Sequence, residues 1–237
     1  MQSCPLTCVS AYFTVPNKHG NNYIEWWFEN TLSINCPYVF FTDKENIDII
    51  RKYRKDYPTF YVECNLENFY TYKYKNKMKT HEVHSPSVEL NLIWNEKIFM
   101  VHFASKLNPF NSEWFKWIDA GICSFRDIKP PQCIFPNEEK LKYLPKDKFI
   151  FSSSDSEDFE SEHATDTNYY HYISGTYILH KDILDTYIEL YKSYLEKLLE
   201  KDNIWTDQVI NTHIYKDNPQ LFFKFCHGYG EMVKQLF

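Results

Sequence analysis

Glycine is scarce in this sequence: five in 237 residues, where ordinary usage of ~7% would give roughly sixteen. A chain so poor in glycine keeps it chiefly where φ is positive or another backbone comes close. Four of the five, Gly121, Gly175, Gly228 and Gly230, fall in segments that set polar or acidic residues beside apolar strands. Arginine is scarcer still, occurring only as Arg51, Arg54 and Arg126, and the net charge is -6. A broad basic field is therefore missing, which excludes a nucleic-acid binder of the electrostatic kind but leaves room for a local nucleotide pocket. None of the seven cysteines forms a C-x-x-C pair, which excludes a zinc ribbon and a thioredoxin-type motif. No stretch approaches the about eighteen apolar residues of a transmembrane helix. Residues 1–12 lack the charged-then-apolar pattern of a signal peptide. A reduced, cytoplasmic protein is the matching expectation.

What is present alternates between two periods. Residues 6–15 (LTCVSAYFTV), 38–42 (YVFFT) and 59–63 (TFYVE) read as strands, and 23–32 and 44–55 as helices between them, with Asp43 as an N-cap. Strand and helix alternating at these short spacings predict a parallel α/β sheet. Residues 87–107 read as a long helix with Leu90, Ile93, Trp94, Lys97, Val101 and Ala104 on one face. Asn108-Pro109-Phe110 stops it, because proline disfavours helix in the residue before it. Strands follow at 114–118 and 149–151, and 169–179 is strand-like but interrupted at Ser174-Gly175-Thr176. The intervening 152–168 is acidic and serine-rich, the composition of a mobile loop or lid. Helices are expected at 181–201 and at 205–215, the second capped by Thr206, and a last strand at 221–226. One domain spanning 1–237 accommodates all of these.

Four segments have the residue types that chemistry needs. Asp119 ends an apolar strand, where open α/β sheets bind ligands, and its carboxylate suits a divalent cation or ribose hydroxyls. The same Asp would also serve as a turn cap before Gly121. Ser174, Gly175 and Thr176 are small residues in a bulky strand, which marks either a bulge or the close approach of a ligand. Asp207 and Gln208 fall in the first turn of a helix, where the dipole favours an ionised, depressed carboxylate. His227 and Gly228, in His-Gly-Tyr-Gly-Glu after the last strand, offer a metal-ligating imidazole beside backbone amides, or an ordinary surface turn.

Taken together, these segments resemble the bacterial HtrL/YibB family, which includes proteins linked to polysaccharide and N-glycan gene clusters. The resemblance runs nearly end to end. It is carried by residues 9–13, by 23–42 (YIEWWFENTLSINCPYVFFT), by Asn108-Pro109-Phe110 before Trp117-Ile118-Asp119-Ala120-Gly121, and by the closing TDQ and HGYGE. It implies a GT-A-like nucleotide-diphospho-sugar transferase fold, a mixed, mostly parallel sheet flanked by helices. It also implies a nucleotide-binding half, 1–105, and an acceptor and catalytic half, 106–237. Ala11, Tyr12, Phe13, Thr42 and Asp43 would then lie near the nucleoside, with Gly121 and Gly228 against the donor. Asp119 and His227 would hold Mn²⁺ or Mg²⁺, with Lys106 or another lysine beside the diphosphate. Asp207 would act on an acceptor hydroxyl, beside Ser174, Gly175, Thr176 and Gln208. The sequence has Asp-Ala-Gly in place of a D-x-D motif, so the metal lacks its second acid there. The implied partners are a nucleotide-sugar donor, UDP-linked above others, and a glycan or other hydroxyl acceptor. A binding protein without turnover is the second reading. A nucleotidyltransferase ranks below both, because residues 16–22 (PNKHGNN) hold only one glycine and one lysine.

Overall fold

The computed structural model describes residues 4–20, 23–82, 85–154, 158–201 and 205–237. Seven strands form one sheet in the order β3-β2-β1-β4-β6-β5-β7. These are β1 (Leu6–Tyr12), β2 (Tyr38–Thr42), β3 (Thr59–Glu63), β4 (Trp114–Trp117), β5 (Phe149–Ser153), β6 (Ile173–His180) and β7 (Phe222–His227). All pairings are parallel except those of β6, which runs against both β4 and β5. The sheet is thus the mixed, mostly parallel one expected, with a single reversed strand.

Period-two alternation sends each strand's side chains to two cores. Val9, Val39, Phe41, Phe115 and Trp117 face one core, and Leu6, Cys8, Tyr38, Phe40 and Trp114 the other. The first core is closed by α3 (Val88–Leu107), α5 (Lys181–Glu200) and α6 (Asp207–Asp217). The second is closed by α1 (Phe28–Leu32), α2 (Ile47–Arg54) and α7 (Glu231–Gln235), with the one-turn α4 (Glu138–Leu141) at its margin. Each fully buried Leu, Ile or Phe in these layers stabilises the fold by about 1.5–3 kcal/mol.

Local chemistry fixes the element ends. Ser87 caps α3, its Oγ accepting from Leu90 N at 3.1 Å and donating to Pro16 O at 2.9 Å. Asn108 ends α3 in the left-handed conformation (φ 38°), and its side-chain oxygen accepts from Ser112 N at 2.8 Å. Asp43 does not cap α2. It accepts from Asn46 N in the turn before the helix, which begins three residues later than expected, at Ile47. Thr206 occupies the cap position of α6, but its hydroxyl makes no capping bond.

The expected loop 152–168 does not begin as one: Ser152 and Ser153 are buried in β5. Residues 155–157 lie outside the described residues. Beyond them, Phe159 packs on Tyr170, Tyr172 and Tyr215, and Lys216 Nζ donates to the carbonyl of buried Ala164 at 2.7 Å. Among the described residues no helix is long and apolar enough to cross a membrane.

Candidate functional site

The parallel strands place their carboxyl ends along one edge of the sheet, and the reversal of β6 brings that strand's beginning to the same edge. Trp117, the last residue of β4, pairs with Tyr177, so Ser174, Gly175 and Thr176 lie beside the loop that carries Asp119. Thr176 Oγ1 donates to Trp117 O at 2.8 Å and ties the two together. What the sequence offers as an interruption within a strand is the start of an antiparallel one.

A cleft of about 600 Å³ opens here, lined by Ala11, Tyr12 and Phe13 from the end of β1, and by Leu90, Ile93, Trp94 and Lys97 from α3. Asp119 and Gly121 from the β4 loop, Gly175 and Thr176 from β6, and Gln208 from α6 complete it with Tyr229 and Gly230. Of the expected nucleoside residues, Thr42 and Asp43 do not line it. Thr42 is buried, its Oγ1 donating to Tyr12 O at 2.7 Å, so it braces the β1 end from behind. Ser174 is likewise behind the wall, with its Oγ 2.6 Å from Ser152 Oγ.

Lys97 is the centre of the site. Its side chain is 4% exposed, and its Nζ lies 3.2 Å from Asp119 Oδ1 and 3.7 Å from Asp207 Oδ2. A buried ammonium is tolerable only when paired in this way. Burial alone would pull the Lys97 ammonium down, but Asp119 and Asp207 outweigh it and hold it raised. Gly175 makes room for the lysine head, since a Cβ there would sit 3.0 Å from Nζ. Asp119 is further fixed by Trp117 Nε1, which donates to the same Oδ1 at 2.8 Å, and its side chain stays 42% exposed to the cleft.

Asp207 departs from its expected character. At the first position of α6 the dipole should depress it, yet its pKa is pushed up to about 7. Burial dominates, Lys97 counteracts it, and Asp119 adds to the rise. The carboxylate is 2% exposed and does not line the cleft, so it reaches a bound molecule only through Lys97. Its neighbour Gln208 does face the cleft, its Nε2 donating to Ile173 O at 3.2 Å and to Tyr229 Oη at 3.1 Å. Tyr229 Oη in turn lies 3.1 Å from His171 Nδ1.

The closing HGYGE reaches the cleft through Tyr229 and Gly230 rather than through His227 and Gly228. His227 is exposed at the end of β7, its Nδ1 3.1 Å from Ser153 Oγ. Gly230 has φ 76°, and a Cβ there would overlap Ser124 Oγ. Cys123 Sγ donates to Tyr229 O at 2.9 Å, so this turn clamps the loop that follows Asp119. Lys106 pairs with Asp185 at 2.6 Å instead of entering the site. At the rim, the Arg126 guanidinium stacks 3.8 Å from the Trp27 ring, and His19 packs edge-on against the same ring. Burial, with Arg126 and Lys18 nearby, lowers His19 to about 4.

As a seat for Mn²⁺ or Mg²⁺ this donor set does not fit. Among the described residues no group of three His, Cys, Asp or Glu could hold a metal. The carboxylate that faces the cleft already shares Oδ1 with a tryptophan and a lysine, and the second acid lies behind that lysine. Lys97 is the residue that the sequence concealed. Its only signal is a charged residue in the otherwise apolar stripe from Leu90 to Ala104.

A family described as a bacterial protein of unknown function, HtrL_YibB, matches residues 59–232. No curated protein matches the chain. Among solved structures, core-mannan synthase A (CmsA/Ktr4) of Aspergillus fumigatus in its Mn/GDP form is 12% identical, with a TM-score of 0.52 over 94% of this chain and 73% of that one. The galactosyltransferase LgtC in complex with donor and acceptor sugar analogs is 10% identical, with a TM-score of 0.51 over 93% and 72%. Glycosyltransferase GlyE of Streptococcus pneumoniae is 11% identical, with a TM-score of 0.49 over 94% of this chain; the chain spans 45% of GlyE. The likeness to CmsA and LgtC shows the GT-A glycosyltransferase fold.

Proposed function

The chain belongs to the HtrL/YibB family, and from that premise we propose that it transfers a glycosyl group from a nucleotide-diphosphate sugar to a hydroxyl acceptor. The observation that carries this reading is the convergence of Lys97, Asp119, Gly175 and Gln208 in one cleft at the carboxyl ends of β1 and β4, the place where open α/β sheets take nucleotides.

The roles follow from position. The apolar wall of Ala11, Tyr12 and Phe13 receives the base of the donor, for which a UDP-sugar is the first choice. Residues 1–105 thus supply most of the nucleoside end and 106–237 most of the transfer end. Lys97 meets the diphosphate, and Asp207 positions Lys97. Gly175, Thr176, Gln208 and Tyr229 border the space left for the sugar and acceptor. In the transfer, the bond from the anomeric carbon to the diphosphate oxygen breaks with its electron pair left on that oxygen. A bond to the acceptor oxygen forms, and the acceptor's proton passes to solvent. Charge grows on the departing diphosphate, so a positive group fixed beside it before the reaction is the main catalytic asset. Mn²⁺ belongs to CmsA as its structure is described.

A thermal-shift screen against UDP-, GDP-, dTDP- and CMP-sugars, followed by mass spectrometry of products with simple glycan acceptors, tests the reading. Stabilisation by one donor class and a glycosylated product are expected. Stabilisation without product, even at long times, would make the chain a binding protein. No stabilisation by any donor would remove the donor site.

A further inference from the structure

We infer that Lys97 takes the place of a divalent cation, so that this chain binds the donor diphosphate without metal. The inference rests on the nucleotide-sugar reading above and names how that site recognises its ligand.

A buried lysine needs a reason, because desolvating an ammonium is costly and a leucine would fill a helix face better. Lys97 rises from the middle of α3 into the first core, with its Nζ 5.6 Å from the centre of the Trp117 ring. Its head is paired with two acids, Asp119 and Asp207, at the cleft wall beside the β4 loop and the start of β6. A cation paired with two carboxylates at the wall of the ligand space holds the place of a bridging metal. Here the bridge is covalently part of the chain.

The ammonium carries three donors and no acceptor. The two acids account for two directions, and the head packs into the space left at Gly175 while the lysine still forms part of the cleft wall. Lys18 and Arg126 line the same cleft, so three protein cations face the ligand space against one exposed carboxylate, Asp119. A second acid at the loop after β4 would tip that balance towards a metal, and the sequence has Ala120 and Gly121 there.

The test is isothermal titration of UDP and of GDP into the full chain, in EDTA and again in Mn²⁺, with Lys97→Met and Lys97→Arg alongside. For one of the two nucleotides, affinity should agree within about threefold between EDTA and Mn²⁺. Lys97→Met should weaken it by about tenfold or more in both buffers, and Lys97→Arg by less. Binding that appears only with Mn²⁺ would overturn the metal-free inference while leaving the donor reading intact. Failure of both nucleotides in both buffers would sink the donor reading itself, and this inference with it. Should Lys97→Met not fold, the wild-type comparison of EDTA with Mn²⁺ decides alone.

Discussion

At Asp207 a single carboxyl group links stability to pH. Its folded pKa of about 7 lies above the ordinary 3.8. Between those values the folded chain holds a proton that the unfolded chain has released. Its contribution to stability is therefore complete below about pH 4 and is lost as pH rises through about 7. Asp207→Asn removes this dependence, so the variant's melting temperature should gain on the wild type as pH climbs from 5 to 8. A difference that stays flat across that range would show that burial does not govern this group. Gly175 invites a second measurement. An alanine there presses on the Lys97 ammonium, whose long stem yields, so stability should change by about 1 kcal/mol or less while donor KM rises about tenfold. Equal KM values for the two proteins would place the lysine head away from the ligand. Gly230→Ala is the harsher change, because its backbone is left-handed and its Cβ would strike Ser124. A loss of about 2–4 kcal/mol in urea unfolding is expected.

Among the elements, α3 does two jobs. Its Leu90-to-Ala104 stripe closes a core, and the first half of that stripe also lines the cleft. Its cap reaches further, because Ser87 Oγ donates to Pro16 O in the segment whose Val15, Asn17, Lys18 and His19 form the cleft rim. Ser87→Ala should cost about 1 kcal/mol of stability and should weaken donor binding as well. An unchanged donor affinity would show that the rim holds its shape without the cap. Most elements were legible because their signals are local: β2 and β3 lie where short apolar, aromatic runs put them, α5 follows its apolar stripe and α6 starts just after Thr206. The direction of β6 was not legible, since a strand reads alike in both senses and its partners β4 and β5 are distant in sequence. For the same reason Ser174-Gly175-Thr176 read as a break in a strand, although it is the strand's meeting point with Asp119.

For the whole molecule, the candidate site draws on β1, α3, the β4 loop, β6, α6 and the turn after β7. Any ligand that joins them binds the folded state alone. A donor nucleotide at about a hundred times its Kd should therefore add about 2.7 kcal/mol, seen as a rise of about 5–10 °C in Tm for a chain of this size. Sequence reading found the sides of this site and missed its centre. Asp119, Gly175 and Gln208 announce themselves by standing out from their strands and helix, whereas Lys97 shows only as a charged member of an apolar helix face, with nothing local to say what it pairs with. His227 stood out equally and lies elsewhere, because only the path of the turn decides that Tyr229 and Gly230 enter the cleft in its stead.

That turn also sets an order in time. Asp119 leaves the ribosome long before Tyr229 and Gly230, yet the loop behind it is clamped only when Cys123 meets the Tyr229 carbonyl and Ser124 closes over Gly230. During synthesis, then, the sheet from β1 to β4 can form while the cleft still lacks the walls that β6, α6 and this turn supply. A nascent chain should stay silent towards nucleotide until its final strand has docked.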